Sequence, residues 1–220
     1  MSKNVLNYQI SVMLLDNIPT DYDFNELASN VKKSFPELGG CGPMMPPYNP
    51  GDNLPVEIPR FVYQTPDVTV QASSVRLDFI FQLKNKDLFN SIDNTIINID
   101  KLLHTLELDL SYRFGVVLNI ELTKDEMWKS LDALLKNESL KIKKEIQFSY
   151  LDNLDIGYNG IDITLNSWFR YILAEKTKKY ICILDINTPA EKIFKLKTHK
   201  LKEVYDAIFK EKVEVSVSEC

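Results

Sequence analysis

The stretch Ser74–Leu106, SVRLDFIFQLKNKDLFNSIDNTIINIDKLLHTL, decides the fold class because its hydrophobic period changes part-way along. From Ser74 to Gln82 apolar and polar residues alternate. Val75, Leu77, Phe79 and Phe81 share one side, and Arg76, Asp78 and Gln82 share the other, as in a half-buried strand. From about Lys86 to Leu106 the spacing becomes three and four. Leu88, Phe89, Ile92, Ile96, Ile99, Leu102, Leu103 and Leu106 then form the apolar stripe of a long helix. A strand with one polar face, followed by a helix with one apolar stripe, predicts an α+β fold: antiparallel sheet with helices packed on one face.

The flanking sequence extends this pattern. Val5–Leu15 reads as a strand. Asp23 or Asn25 caps a helix running to about Phe35, with Phe24, Leu27, Val31 and Phe35 on one side. Arg60–Gln64 and Val68–Ala72 read as strands around a Thr65-Pro66-Asp67 turn. Leu108–Leu122 reads as a long strand, expected to be bent or interrupted near Gly115. Thr123-Lys124-Asp125-Glu126 is a capping box that opens a helix carrying Met127, Trp128, Leu131, Leu134 and Leu135. Three β segments follow, Lys141–Leu154, Ile161–Leu173 and Lys179–Ile186. The first two are joined through Gly157–Gly160, whose Asn-Gly pair is a strong hairpin signal. A helix over Thr198–Lys210 and a short strand over Val213–Val217 complete the reading. The order β-α-β-β-β-α thus occurs twice, which predicts one domain built as two similar halves, 1–107 and 108–217. In element order alone, two such halves resemble the TATA-box-binding-protein-like saddle.

Pro36–Pro59 departs from everything around it, holding seven of the ten prolines and four of the seven glycines. No helix or central strand tolerates that density, so a long surface loop is expected. Gly39-Gly40-Cys41-Gly42-Pro43 lacks the Gly-Lys-Ser/Thr ending of a phosphate loop. Cys41, Met44 and Met45 are soft-ligand types, but a packed or docking loop is the preferred reading. Met44, Met45 and Tyr48, around Pro46-Pro47, are candidate contacts for a partner, because extended proline-rich segments bind at low entropic cost.

The 220 residues are 45% hydrophobic, 10% aromatic and 26% charged, too apolar for a disordered chain. No apolar run reaches membrane-spanning length, and the N-terminus lacks a signal-peptide pattern, so a cytoplasmic protein with no membrane partner is expected. Three scattered cysteines and two histidines supply neither a disulfide framework nor an imidazole or metal site. Cys182 reads as a core thiol, and Cys220 is expected to be frayed. No cofactor or catalytic motif is found. Asp152, Asp155 and Asp162 flank the Asn-Gly turn but fail the calcium-loop pattern, where Ile163 takes the glutamate position. Asp78, Glu107, Asp109 and Glu121 lie on strands or their ends, so a carboxylate-based hydrolase or transferase requires two of them to converge.

The net charge of −5 divides unevenly. Residues 1–138 carry 12 basic against 19 acidic groups (−7), residues 139–212 carry 14 against 10 (+4), and 213–220 add −2. Lys141, Lys143, Lys144, Lys176, Lys178, Lys179 and the Lys192–Lys202 series make the basic excess. A solvated surface is the plain interpretation, and a nucleic-acid patch the sharper one. In Ser167-Trp168-Phe169-Arg170-Tyr171 the strand period sends Trp168 and Phe169 to opposite faces. Trp168 and Arg170 are therefore candidate interface residues.

At Tyr112-Arg113-Phe114-Gly115-Val116-Val117-Leu118-Asn119, and again at Ile183-Leu184-Asp185-Ile186-Asn187, the chain resembles a family of sporadically distributed, uncharacterised prokaryotic proteins. Those proteins are somewhat longer, with an Arg-x-Gly…Asn strand near mid-chain and a late apolar strand ending in Asp. The resemblance covers residues 55–217 in outline. It implies a prokaryotic or phage α+β protein with no assigned reaction, and it singles out Arg113, Gly115 and Asn119. In a purely structural role, Arg113 is expected to pair with a sheet carboxylate. The functional expectation is a non-enzymatic protein-binding protein (adaptor, inhibitor or subunit) that contacts another protein or itself through an exposed sheet face or the Pro-rich loop. Nucleic-acid binding by the basic later half is the alternative.

Overall fold

Nine strands hydrogen-bond into one antiparallel sheet in the computed structural model, which describes residues 3–19, 23–45, 55–84, 87–106, 111–134, 145–174, 178–189, 194–195 and 200–220. In chain order the elements are β1 (Asn4–Leu14), α1 (Phe24–Ser34), β2 (Phe61–Gln64), β3 (Val68–Ala72), β4 (Arg76–Gln82), α2 (Leu88–Thr105), β5 (Ser111–Glu121) and α3 (Lys124–Leu134). They continue as β6 (Glu145–Tyr158), β7 (Ile161–Ala174), β8 (Lys179–Asn187), β9 (Phe194–Lys195) and α4 (Leu201–Val204). A π-helical turn (Tyr205–Phe209) then leads into α5 (Lys210–Glu219).

The strand order is β2-β3-β4-β1-β5-β8-β7-β6, with β9 pairing the start of β5. β1 and β5 are central. Outward from them the order is β4, β3, β2 on one side and β8, β7, β6 on the other. Period-two alternation places the core on one face. Tyr8, Ile10 and Val12, Leu77 and Phe79, Phe114, Val116 and Leu118, and Cys182, Leu184 and Ile186 are all buried there. The helices cover that face. α1 packs on α2, α2 on α4, and α3 and α5 on β8.

Local chemistry sets where these helices begin. The Asp23 carboxylate accepts from Asn25 N, and the Asp87 carboxylate from Asn90 N at 2.8 Å, so each satisfies an otherwise unpaired donor of a first turn. Thr123 and Glu126 form the expected reciprocal box: Thr123 N donates to Glu126 Oε2 at 2.8 Å, and Glu126 N to Thr123 Oγ1 at 3.2 Å. Polar groups on the helix side also lock onto the sheet. Tyr63 donates to Ala28 O at 3.0 Å, and Tyr8 Oη shares a 2.8 Å hydrogen bond with Thr95. The Phe114 ring meets Phe209 edge-on at 4.7 Å between centroids.

Several sequence expectations require correction. Val213–Val217 is helix, although Val-Glu-Val-Ser-Val alternates. The chain enters it as a helix begun at Leu201, and Val213, Ser216 and Val217 bury at spacings of three and four. β5 runs unbroken through Gly115. That glycine admits a close neighbour instead, since a Cβ there would meet Asn187 Cβ at 3.3 Å. The register shift lies in β1, between Val5 and Asn7. β6 ends at Tyr158, later than expected, because Asn159 (φ 50°) and Gly160 (φ 77°) make a two-residue turn that pairs Tyr158 with Ile161. Of the Pro-rich segment, Pro36–Leu38 is a 3₁₀ turn with Leu38 buried, and Met44 forms an isolated antiparallel bridge with Val62. Tyr48 lies outside the described residues. No helix among the described residues is long and apolar enough to cross a membrane.

Candidate functional site

The sheet face that no described helix covers is polar, and its side chains line up across the strands. Register places Val62, Gln71, Asp78, Ser11, Gly115, Asn187, Asn166 and Asn153 in one row over eight strands. Most of that row can donate or accept hydrogen bonds. Its charged member is Asp78, only 4% exposed although it stands on the open face. Four neighbours donate to its carboxylate: Ser11 at 2.7 Å, Gln9 at 3.0 Å, Gln71 at 3.0 Å and Arg76 Nε at 2.7 Å. A buried carboxylate is tolerated only when so saturated. Asp185 stands on the same face, on β8 opposite Val117 of β5, and accepts from Asn187 at 2.9 Å.

Three of the four arginines, Arg76, Arg113 and Arg170, stand on this face. Arg113 does not pair with a sheet carboxylate among the described residues. Its Nη2 donates to Met13 Sδ at 3.2 Å, while its buried Nε has no hydrogen-bond partner. Asn119 donates to Asn7 Oδ1 at 2.6 Å across the central strand pair. Trp168 and Arg170 are exposed and lie two strands away from β5. The sheet therefore brings Arg113 and Asn119 onto one strand, with Trp168 and Arg170 on another, all facing the same way. Met44 and Met45, exposed at the β2 edge, are far from them.

Compared with protein-family models and with curated proteins, the chain matches none.

An exposed apolar spot on the open face is a cross-strand pair. Leu151 of β6 lies opposite Trp168 of β7, at 42% and 43% exposure, while Phe169, one residue on, is fully buried. β6 is also an edge strand of 14 residues, and no described strand pairs with its outer side. Its sequence, EIQFSYLDNLDIGY, contains neither lysine nor proline, the residues that usually blunt such an edge. The opposite edge differs. β2 has four residues and is bridged by Met44 of its own chain.

Of the carboxylates considered for catalysis, the two among the described residues do not converge. Asp78 lies opposite Ser11 and Glu121 opposite Asn4, seven residues along β1, or roughly 23 Å. Glu107 and Asp109 lie outside the described residues. Near the Asn-Gly turn Asp155 accepts from Thr164 at 2.6 Å, and Asp152 pairs with Lys212 at 2.6 Å. Among the described residues no cluster of three His, Cys, Asp or Glu is placed to hold a metal ion. The described lysines of the last helical segment are matched by acids: Lys200 with Glu203, Lys202 with Asp206, and Lys210 with Asp93 at 2.9 Å. Lys141, Lys143, Lys144 and Lys176 lie outside the described residues.

Sequence reading missed one cleft altogether. A cavity of about 520 Å³ opens between α2 and the β3–β4 hairpin, lined by Tyr8, Asp67, Phe81, Asn94, Thr95 and Asn98, among others. Ser91, Asn94, Thr95 and Asn98 form a second, polar stripe on α2, which periodicity does show once the apolar stripe is removed. Burial pushes the Tyr8 hydroxyl up to about 12, against the hydrogen bond with Thr95 that lowers it, so the phenol stays neutral there.

Proposed function

We propose that this chain is a non-enzymatic protein-binding protein, an adaptor, inhibitor or subunit, that takes an extended polypeptide segment along the outer edge of β6. The observation that carries this reading is the conjunction at β6. A long edge strand without lysine or proline runs directly beside the exposed Leu151–Trp168 pair. Main-chain hydrogen bonds to an unpaired edge supply affinity, and side chains beside the added strand supply selectivity. Tryptophan and arginine are the types that dominate binding energy at protein interfaces, and Arg170 stands beside Trp168 on the same strand face.

The test compares the full chain with Trp168→Ala and Leu151→Lys in capture from a native lysate, with light scattering to detect a second copy as the partner. The reading expects a defined partner or a dimer with the natural sequence, and at least tenfold weaker association in either variant at unchanged circular dichroism. A monomer that captures nothing, or capture indifferent to both substitutions, overturns it. Nucleic acid is a second reading, favoured by three arginines on one sheet face, although Arg76 is already engaged by Asp78. Absence of retention on random DNA and RNA at low salt excludes it.

A further inference from the structure

Cys220 is not frayed. It ends α5 at 3% exposure, and its Sγ lies 3.2 Å from Sγ of Cys182, a fully buried residue of β8. The Cys220 carbonyl also accepts from Ser130 Oγ of α3 at 3.4 Å, so β8, α3 and α5 meet at this residue. The third cysteine cannot take part. Cys41 hydrogen-bonds toward Gln64 O of β2, five strand positions from β8, or roughly 24 Å across the sheet.

We propose that Cys182 and Cys220 form an oxidisable dithiol site whose disulfide ties the end of α5 to the sheet. A disulfide oxidant such as oxidised glutathione supplies the chemistry. One protein thiol loses its proton, and its sulfur attacks the oxidant, breaking the oxidant's S–S bond and expelling a glutathione thiolate. The second protein thiol, deprotonated in turn, attacks the resulting mixed disulfide and expels the other glutathione thiolate. Two electrons pass from the protein sulfurs to the oxidant, the two protons go to the leaving thiolates, and two glutathione thiols result. The sulfurs are already in contact, so closure needs a side-chain adjustment at the end of a helix and no rearrangement of the sheet.

Reaction is gated by burial. The hydrogen bond that the Cys220 thiol makes to Cys182, together with desolvation, holds that thiol well above the ordinary thiol range, so the attacking thiolate forms when the last turn of α5 opens. The closed disulfide shields itself from reductant in the same way.

The experiment uses the full chain carrying Cys41→Ser, incubated with oxidised glutathione in native buffer and in low, sub-denaturing urea. The proposal expects both remaining thiols to become unavailable to alkylation after denaturation, an intact mass lower by two hydrogens, and a linked peptide pair containing residues 182 and 220. It also expects an upward shift of several degrees in the melting midpoint, reversed by dithiothreitol, because the link closes a loop in the unfolded chain. The comparison is between oxidised and reduced forms of one polypeptide, so it does not depend on a substituted pair folding. Thiols that stay free in both buffers, glutathione adducts without an internal link, or a link that leaves the midpoint unchanged or lowered would each overturn it.

Discussion

Ser11 Oγ donates to Asp78 Oδ1 at 2.7 Å, so a buried hydroxyl–carboxylate pair bridges β1 and β4 on the face that no described helix covers. Arg76 Nη2 also reaches Ser11 Oγ, at 3.1 Å, and closes a small network around one carboxylate. The open face is thus organised where it is most polar, because a buried charge has to be surrounded by donors.

Replacing Asp78 by alanine strands Gln9, Ser11, Gln71 and Arg76 without their common acceptor. The expected loss is roughly 3 kcal/mol of unfolding free energy, measured by urea titration. Asp185→Ala, on the same face in β8, is expected to cost less than about 1 kcal/mol, because Asp185 is half-exposed and Asn187 is its one described hydrogen-bond donor. Equal losses would show that the network is not what stabilises this part of the sheet.

Trp168 and Phe169 are neighbours with opposite environments. Phe169→Ala is expected to cost about 3–5 kcal/mol, since the ring is fully buried and stacks on Tyr150 at 4.7 Å between centroids. Trp168→Ala is expected to change stability by no more than about 0.5 kcal/mol. Thermal unfolding of the two variants side by side checks which ring faces solvent.

Gly115 has an ordinary backbone conformation but a close neighbour, with Ile186 O 3.5 Å and Asn187 Cβ 3.3 Å from where its Cβ would stand. Gly115→Val is therefore expected to destabilise the chain by about 1–3 kcal/mol through crowding between β5 and β8. Chemical denaturation measures it, and a neutral result would mean that β8 yields without cost.

Glu126 is held at about 2, well below its usual 4.5, first by the Thr123 backbone N–H and then by Lys3, whose ammonium lies 3.0 Å away. A carboxylate whose value is depressed in the folded state contributes stability above its unfolded value, and that contribution disappears as pH falls through the folded one. The wild-type chain should therefore lose stability between about pH 4.5 and pH 2 in part through this group. Glu126→Gln should be less stable near neutrality and flatter across that window. Melting midpoints taken along an acid series decide it, and parallel curves for the two proteins would remove Glu126 from the acid response.

What the sequence determined by itself was local. The change from period two to period 3.6 within Ser74–Leu106, the Thr123–Glu126 box and the Asn159-Gly160 turn each contain their own physical cause within a few residues, and all three appear in the structure. Opposite facing of Trp168 and Phe169 belongs with them, because strand alternation fixes it whatever lies beyond. Tertiary structure decided everything that depends on distant partners. Val213–Val217 alternates like a strand yet is helical, since a helix already begun at Leu201 continues into it and buries Val213 and Val217. Arg113 meets Met13 because β1 lies beside β5, and the outer position of β6 among the described strands follows from strand order. Cys182 and Cys220 are 38 residues apart, and only the return of α5 onto β8 sets their sulfurs in contact.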